Sequence, residues 1–206
     1  MAADGAGTRT GGTRKGYYES GAYWRKRTDL MYYQYFKYFV RCLAPNAKSL
    51  IDIGSGNAPY LEWFDWIPDR VSFDKAHPYQ SETVRGLEGD FFTFDFGQRF
   101  DLVTCMQVLE HIPDAERFAR RLTEIGDLLL VSVPFRWPKG QTRGHVNDPV
   151  DLKKLSRWFG REPNYSMIVR EPFVKRAGAR LFAIYDPDPE RVFNAKIRHT
   201  ARPLAD

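Results

Sequence analysis

Short apolar runs alternate with amphipathic segments along most of the chain. The apolar runs predict five strands, at residues 48–53, 71–74, 84–87, 99–106 and 127–133. Periodic apolar positions and capping residues predict helices at residues 30–40, from Ala58, at 115–125 and at 151–159. Two further runs predict a final pair of strands at residues 165–170 and 179–185. Strands that alternate with helices in this way indicate an α/β fold built on a parallel sheet.

The first predicted strand runs into a tight glycine turn formed by Gly54, Ser55 and Gly56. Asp52 is the odd residue of this strand, an acid within an otherwise apolar run. Glycine permits positive φ angles and lets a ligand approach the backbone without meeting a Cβ atom. Open α/β sheets bind nucleotide-like ligands at such a turn, although an ordinary strand-to-helix turn is the alternative for this segment alone.

Further landmarks follow the glycine turn in order along the chain. Asp74 ends the second strand about 20 residues beyond the glycines, where a carboxylate can accept both hydroxyls of a ribose. Gly89, Asp90 and Phe91 end the third strand, and the apolar fourth strand comes next. In this order the motifs resemble those of the class I S-adenosylmethionine-dependent methyltransferases, over roughly residues 48 to 135.

The resemblance implies a Rossmann-like, mostly parallel sheet of seven strands, with helices on both faces and an antiparallel pair of strands at the C-terminal end. It also implies that S-adenosylmethionine is the cofactor. In this family an acid at Asp90 contacts the adenine amino group, and the backbone of Phe91 donates to the ring. The residues that the resemblance assigns to the cofactor are Asp52, Gly54, Ser55, Gly56, Asp74, Lys75, Asp90, Phe91, Met106 and Gln107.

A chain of 206 residues with 43% hydrophobic residues is the size of one domain with short extensions. We expect a disordered segment at 1–16, a single methyltransferase domain at 17–186 with an N-terminal helical lid at 17–44, and a tail at 187–206. The net charge of +5 is too diffuse to indicate a nucleic-acid partner. Two cysteines in apolar segments indicate a cytoplasmic protein, and no apolar run is long enough to span a membrane. The assembly expected is a monomer or a homodimer.

Two loops carry the candidate chemistry. Glu110 and His111 follow the fourth strand, and His145 lies in the polar loop after the fifth strand. In the expected topology these loops flank one cleft, so one carboxylate and two imidazoles can form a site for a divalent cation such as Mg²⁺. The alternative for Glu110 and His111 is a structural role in orienting the cofactor loop, and the alternative for His145 is an ordinary surface-loop histidine.

This arrangement resembles methyltransferases that modify vicinal hydroxyls, which carry Glu-x-x-Glu-His followed by a later His and bind a divalent metal there. The small-RNA 2′-O-methyltransferases and the ubiquinone-pathway O-methyltransferases are similar in the first part. Gln107 stands here in place of the first Glu, and Asp148 could supply the missing charge. We therefore predict that Glu110, His111 and His145 are metal ligands and catalytic residues, with His145 as a general base.

The acceptor is predicted from side chains that can stack on a sugar or bind its hydroxyls. These candidate substrate-binding residues are Tyr17, Tyr23, Trp24, Trp137, Arg143 and Asp148. A small chain with such a cleft resembles the sugar and polysaccharide O-methyltransferases, including those of methylmannose polysaccharide synthesis, so the partner is a small molecule or an oligosaccharide. Three alternatives remain open: a metal-independent methyltransferase for a small acid, phosphonate or amine, a cofactor-binding protein without catalysis, and an RNA methyltransferase.

Overall fold

A seven-stranded sheet forms the centre of the part of the chain that the computed structural model describes, residues 27–173 and 178–202. Its strands are β1 (Ser49–Ile53), β2 (Asp69–Asp74), β3 (Arg85–Glu88), β4 (Phe100–Met106), β5 (Gly126–Pro134), β6 (Tyr165–Val169) and β7 (Arg180–Tyr185). The spatial order is β3-β2-β1-β4-β5-β7-β6. The first five strands are parallel, whereas β7 runs antiparallel to both β5 and β6. This confirms the predicted Rossmann-like sheet with its antiparallel C-terminal pair.

Within the described ranges, three α-helices cover the two faces of the sheet: α1 (Met31–Leu43), α2 (Ala115–Glu124) and α3 (Leu152–Phe159). On one face, α2 and α3 bury their apolar sides together with alternate residues of the strands, including Ile51 and Val103. On the other face, α1 packs over Leu50 and Leu102. Because successive strand residues point to opposite faces, strands covered on both sides read as continuous apolar runs.

Carboxylates cap the N-terminal ends of the three helices. Asp114 accepts a hydrogen bond from the backbone N–H of Arg117 at the start of α2, and Asp151 accepts one from Lys154 at the start of α3. The first turn of α1 is capped from a distant part of the chain, since Glu171 accepts from the backbone N–H groups at the helix start, each at 2.9 Å. Glu171 therefore anchors the N-terminus of α1 beside the end of β6.

The helix predicted from Ala58 is a short 3₁₀ segment, Pro59–Phe64. Its aromatic side chains pack under α1 instead of extending along the sheet, with the ring of Phe36 centred 5.2 Å from that of Tyr60 and 5.4 Å from that of Phe64. Because α1 already covers this part of the sheet, the connection from β1 to β2 needs no full helix to bury the apolar surface.

The segment after Pro187 reaches back to α1. A 3₁₀ segment, Ala195–Thr200, contacts this helix. Arg202 donates its backbone N–H to the carbonyl oxygen of Arg41 at 3.1 Å, and Arg41 Nε donates to the carbonyl oxygen of Arg202 at 2.6 Å. No helix within the described ranges is long and apolar enough to cross a bilayer. The predicted disordered segment, 1–16, and the first part of the predicted lid, 17–26, lie outside the described residues.

Candidate active site

A cleft of about 680 Å³ opens where β1, β2 and β4 end, and the N-terminal turn of α1 forms part of its wall. Its lining brings together six of the residues predicted to bind the cofactor: Gly54, Ser55, Gly56, Asp74, Met106 and Gln107. The same lining includes five residues predicted for metal or substrate: Glu110, His111, Trp137, Arg143 and His145. The loops after β4 and β5 therefore flank one cleft, as the sequence predicted.

The glycine turn is held tightly against β2 and the loop after β4. Gly54 and Ser55 donate their backbone N–H groups to the carbonyl oxygen of Phe73, at 2.8 and 3.2 Å. Gly54 has a φ angle of +76°, and a Cβ atom added there would lie 2.5 Å from Cγ2 of Val108. Gly54 therefore has both a backbone conformation and a packing environment that only glycine satisfies.

Asp74 lies at the end of β2 with both carboxylate oxygens oriented by backbone donors. Oδ2 accepts from the N–H of Gly56 at 2.9 Å, and Oδ1 accepts from the N–H groups of Ala76 and His77 at 3.0 and 3.2 Å. Oδ2 keeps a lone pair for a further donor, whereas Oδ1 already accepts two hydrogen bonds. The carboxylate thus ties the glycine turn to β2, and its Oδ2 can still accept a hydroxyl group from a ligand in the cleft.

The loop after β4 starts with Gln107, which has a φ angle of +62°. Its backbone N–H donates to the carbonyl oxygen of Ser132 at 2.9 Å, and its side-chain amide donates to Oγ of the same residue at 3.1 Å. These bonds fix the loop to β5 and leave the side-chain carbonyl of Gln107 without a donor among the described residues. Gln107 therefore lines the same cleft as the glycine turn and the two histidines.

Asp52 does not line the cleft. Its side chain is fully buried, where Tyr60 Oη donates to Oδ2 at 2.6 Å and Thr104 Oγ1 donates to Oδ1 at 2.5 Å. Burial raises the pKa of this carboxyl to about 7, and the two hydrogen bonds oppose that rise. Asp52 therefore connects β1, β4 and the 3₁₀ segment beneath α1.

Three other residues predicted to bind the cofactor also lie outside the cleft lining. Lys75 is exposed, and Asp90 is an exposed residue whose carboxylate accepts from the N–H of Phe92 at 2.9 Å. The ring of Phe91 is buried against Phe118, with ring centroids 4.4 Å apart. Their roles in cofactor binding stay predictions.

Glu110, His111 and His145 meet in the cleft, and one potential ligand atom from each lies within 4.8 Å of the other two. Nδ1 of His111 is 3.0 Å from the carbonyl oxygen of Gly144, and Nδ1 of His145 is 2.7 Å from Oδ2 of Asp148. Because Nδ1 of each ring is occupied, Nε2 is the nitrogen that each histidine can offer to a cation. A ligand histidine whose other nitrogen is held by a carboxylate or carbonyl is the usual arrangement at metal sites.

The carboxylates of this cluster fit a cation. Glu110 is 1% exposed, and burial, together with the nearby carboxylate of Asp148, raises its pKa to about 8 despite the opposing charge of Arg180. Oε2 of Glu110 and Oδ1 of Asp148 are buried without a hydrogen-bond partner among the described residues. Such oxygens are rare because each lacks compensation for its lost hydration. A divalent cation in the cleft would supply that compensation to Glu110, whereas Asp148 is outside the ligand cluster.

His111 is suited to the same site. Although the residue is exposed overall, desolvation of its ring lowers the pKa, while the carbonyl of Gly144 opposes that fall. The neutral imidazole is the form that binds a metal. One buried carboxylate and two oriented imidazoles form a mixed oxygen and nitrogen ligand set, which accepts several divalent cations.

Of the predicted substrate-binding residues, Trp137 and Arg143 line the cleft. The indole of Trp137 is half-buried, donates Nε1–H to the carbonyl oxygen of Ala179 at 3.1 Å, and stacks on the ring of His145 with centroids 5.8 Å apart. Asp148 lies behind His145 and contacts the imidazole instead of the cleft. The remaining candidates, Tyr17, Tyr23 and Trp24, lie outside the described residues.

Seven of the residues that line the cleft are not among the predicted site residues, and Tyr32 and Arg180 are two of them. Tyr32 Oη shares a 2.9 Å hydrogen bond with Ser132 Oγ, which links α1 to β5. Arg180 is the first residue of β7 and pairs with Pro134 at the end of β5. The available signal was a cation at the start of an otherwise apolar strand, where the register places it beside the carboxyl end of β5.

The sheet order and the glycine turn define a Rossmann-like fold of the class I methyltransferase type. A family model described as a methyltransferase domain matches residues 23–169, and the chain belongs to this family. The protein is an S-adenosylmethionine-dependent methyltransferase. A search of curated proteins finds no match to the sequence.

Solved methyltransferase structures share the fold at low sequence identity. The N-methyltransferase NodS from Bradyrhizobium japonicum WM9, bound to S-adenosyl-L-homocysteine, is 13% identical, with a TM-score of 0.62 over 82% of this chain and 94% of NodS. Magnesium protoporphyrin IX methyltransferase from Synechocystis PCC 6803, also with S-adenosyl-L-homocysteine, is 14% identical, with a TM-score of 0.53 over 73% and 80%. The methyltransferase domain of a bacterial Hen1 is 15% identical, with a TM-score of 0.51 over 69% and 92%. At these identities the likeness shows the fold alone.

Proposed function

We propose that this methyltransferase transfers a methyl group to a hydroxyl of a sugar or oligosaccharide, assisted by a divalent cation such as Mg²⁺ held by Glu110, His111 and His145. The observation that carries the proposal is the convergence of three potential ligand atoms, within 4.8 Å of one another, in the cleft that also contains the glycine turn. A cation there would lie beside the space in which the methyl donor binds.

The proposed position of the donor follows from the other half of the cleft. Gly54, Ser55 and Gly56 leave backbone space for the methionine moiety, and Asp74 presents an oriented oxygen, Oδ2, to a ribose. Met106 and Gln107 line the same cleft at the end of β4, the strand that lies between β1 and β5 in the sheet, so the two halves of the cleft adjoin. The residues of the cleft therefore support donor and acceptor binding at adjacent places.

The reaction joins the acceptor oxygen to the methyl carbon while the bond from that carbon to the sulfonium sulfur breaks, leaving S-adenosylhomocysteine. A sugar hydroxyl is a poor nucleophile at neutral pH, and a bound divalent cation would lower its pKa and fix the oxygen in place. His145 can offer only Nε2, so it either ligates a cation or accepts a proton at any one time. In the proposed reaction it is a ligand, and the hydroxyl proton passes to water at the mouth of the cleft beside the exposed His111.

Support for a sugar comes from the acceptor wall. The half-buried indole of Trp137 lies beside the candidate cation site and offers an apolar surface on which a pyranose ring can stack. The exposed guanidinium of Arg143 lines the same wall and can donate to several oxygens. Together these groups suit a ligand with an apolar face and many hydroxyls.

A second function is supported by the hydrogen bond between His145 and Asp148. A buried carboxylate that orients an imidazole is also the arrangement of a general base. In this alternative the protein is a metal-independent methyltransferase for a small acid, phosphonate or amine, and Nε2 of His145 takes the acceptor proton. His111 and Glu110 then shape the cleft without binding a cation.

Methyl transfer from S-adenosylmethionine to a panel of mono- and disaccharides, with added Mg²⁺ or with a chelator, tests both proposals. The metal-assisted proposal expects transfer that chelator abolishes and Mg²⁺ restores, together with loss of that dependence in His111→Ala. Transfer to a sugar that is unaffected by chelator but lost in His145→Ala would keep the sugar acceptor and replace the cation by His145 as general base. Absence of transfer to every sugar, with S-adenosylhomocysteine still bound, would exclude the sugar assignment and leave the small acids, phosphonates and amines.

A further inference from the structure

Arg180 is a buried cation in the wall of the cleft, and the proposed reaction gives it no role. The residue is 7% exposed and starts β7, whereas Arg143 on the same wall is exposed. A charged group removed from water to this extent is costly unless it is paired. The hydrogen bonds that Arg180 makes, and those that it leaves unmade, therefore indicate which kind of ligand the cleft can bind.

The bonds that Arg180 makes leave much of its donor capacity unused. Nη1 donates to the carbonyl oxygen of Gly178 at 3.3 Å and lies 3.8 Å from Oε1 of Glu171, beyond hydrogen-bond distance. Both oxygens of Glu171 are already held by the backbone N–H groups of Met31 and Tyr32. Nε of Arg180 is buried without a partner, and Nη2 donates no hydrogen bond to the described residues.

The orientation of the guanidinium is nevertheless fixed. It lies over the ring of Tyr32, 4.8 Å from the centroid, and 5.7 Å from the centroid of Trp137. Tyr32 is in turn fixed by its hydrogen bond to Ser132. The rings of Tyr32 and Trp137 therefore hold the guanidinium in place while some of its N–H groups have no acceptor. Trp137 is the residue that we assign to the sugar.

A planar guanidinium with free N–H groups matches the two oxygens of a carboxylate or phosphate, and the charge makes those hydrogen bonds strong. Arg27 and Arg143 line the same cleft, so the wall carries three guanidinium groups. Glu171 forms a buried ion pair with Arg180 at 3.8 Å, but it accepts none of the hydrogen bonds of the guanidinium. An anionic ligand in the cleft would accept from the N–H groups that remain unused.

We propose that Arg180 binds an oxyanion group of the acceptor, so that the enzyme methylates a hydroxyl of an acidic sugar, either a uronic acid or a sugar phosphate. The identity of the acceptor as a sugar rests on the function proposed above. The anion subsite itself rests on the burial and free donors of Arg180 and is independent of metal dependence.

Ligand binding tests the subsite without requiring turnover. Isothermal titration of the protein saturated with S-adenosylhomocysteine uses three probes: glucuronate, glucose 6-phosphate and neutral glucose. We expect at least one anionic probe to bind tighter than glucose, and Arg180→Gln to reduce that affinity by roughly 10- to 100-fold, as for loss of a charged hydrogen bond. Tighter binding of glucuronate identifies the group as a carboxylate, and tighter binding of glucose 6-phosphate identifies it as a phosphate. Equal binding of all three probes, or no binding by either anion, would overturn the proposal.

Methyl transfer to the same probes gives a second readout. Arg180→Gln should lower kcat/KM for the anionic sugar through KM, and by a larger factor than it lowers kcat/KM for neutral glucose. Arg180→Lys keeps the charge without the planar fork and should recover part of the affinity. An equal loss for charged and neutral sugars in both variants means that Arg180 is only structural, which would contradict the subsite.

Two controls separate the remaining explanations. Affinity for S-adenosylhomocysteine should be unchanged in Arg180→Gln, and a loss there would assign Arg180 to the methionine carboxylate instead of the acceptor. Arg120→Gln removes one positive charge from the exposed surface of α2, where Arg120 pairs with Glu116, and should leave selectivity unchanged. If Arg180→Gln fails to fold, Arg180→Lys tests the proposal instead. We then expect a partial loss of affinity for the anionic probe and unchanged affinity for glucose.

Discussion

Nδ1 of His145 lies 2.7 Å from Oδ2 of Asp148, and their side chains are 5% and 0% exposed. In such a buried pair the carboxylate fixes the orientation of the imidazole and makes its other nitrogen a better ligand or base. The ring of His145 is also held between His111, at 4.6 Å, and Trp137, at 5.8 Å. Nε2 is therefore fixed in position before any ligand enters the cleft.

Asp148→Asn should weaken the cation site because an amide is a poorer acceptor for the imidazole N–H and removes a negative charge. We expect affinity for Mg²⁺ or Mn²⁺ to fall by roughly 10- to 100-fold, the usual cost of losing such an outer partner. Titration calorimetry with the metal alone measures this, and binding of S-adenosylhomocysteine should be unaffected. Asp127→Asn is the matched control, since that carboxylate is 63% exposed and lies at the opposite end of β5. Unchanged metal affinity in Asp148→Asn would contradict a role of the pair in metal binding. It would favour the alternative in which His145, oriented by Asp148, is a general base.

Gly54→Ala should abolish cofactor binding. The added Cβ atom would meet Cγ2 of Val108 at 2.5 Å and Cγ1 at 2.9 Å, in a backbone conformation that alanine rarely adopts. Either the turn or the loop after β4 must move, and both line the cleft. Gly97→Ala is the matched control because its φ angle, +64°, is similarly positive and its Cβ would meet nothing within 4 Å.

Calorimetric titration with S-adenosylhomocysteine measures the effect of both variants. Gly97→Ala should bind normally with a small loss of stability, since it has the backbone cost without the clash. If Gly54→Ala binds S-adenosylhomocysteine as tightly as the original protein, the turn does not contact the donor and the assignment of this end of the cleft is wrong.

Much of the fold could be predicted from sequence because the signals are local. Runs such as Leu128 to Val131 are apolar at every position, which is typical of strands buried on both faces, and glycine and proline mark their ends. Topology then brings together residues distant in the chain. Glu110 and His145 come from loops after different strands, and they meet because parallel strands end at the same edge of the sheet.

The parts that sequence reasoning missed depend on contacts that no local pattern encodes. The position of Asp52 before the glycine turn does not reveal that alternation along β1 directs its side chain towards Tyr60, beneath α1, and its role in cofactor binding stays a prediction. Arg180 was overlooked because its importance depends on strand register and on Glu171 being occupied by the start of α1. Both facts require the three-dimensional packing of segments far apart in sequence.

Asp74 should contribute to cofactor binding in two separable ways. Asp74→Ala removes the acceptor for a ribose and also releases the N–H of Gly56, so we expect binding of S-adenosylhomocysteine to weaken by roughly 1–3 kcal/mol. Asp74→Asn keeps one carbonyl oxygen for the backbone donors and should lose less. Titration calorimetry compares the affinities of the two variants for S-adenosylhomocysteine. Thermal melting shows whether loss of the bond to Gly56 also lowers the stability of the protein. If Asp74→Ala binds normally, the ribose acid lies elsewhere in the chain.

Asp52 should make the stability of the folded protein depend on pH. Burial raises the pKa of its carboxyl from 3.8 to about 7 in the folded state, while the unfolded chain keeps the usual value. Between these two values the folded protein holds a proton that the unfolded chain has released, so stability falls as pH rises from about 4 to about 7 and is level on either side. The full difference is on the order of 4 kcal/mol.

Asp52→Asn should remove this dependence, because an amide cannot ionise and its carbonyl oxygen can still accept from Tyr60 or Thr104. Urea unfolding of both proteins at pH 4.5, 6 and 8, without cofactor, measures the difference in free energy of unfolding at each pH. Other titrating groups cancel in that difference, so the original protein should lose stability relative to the variant as pH rises to about 7. A difference that stays constant with pH would mean that Asp52 remains ionised in the folded protein, with its two hydroxyl partners compensating the buried charge.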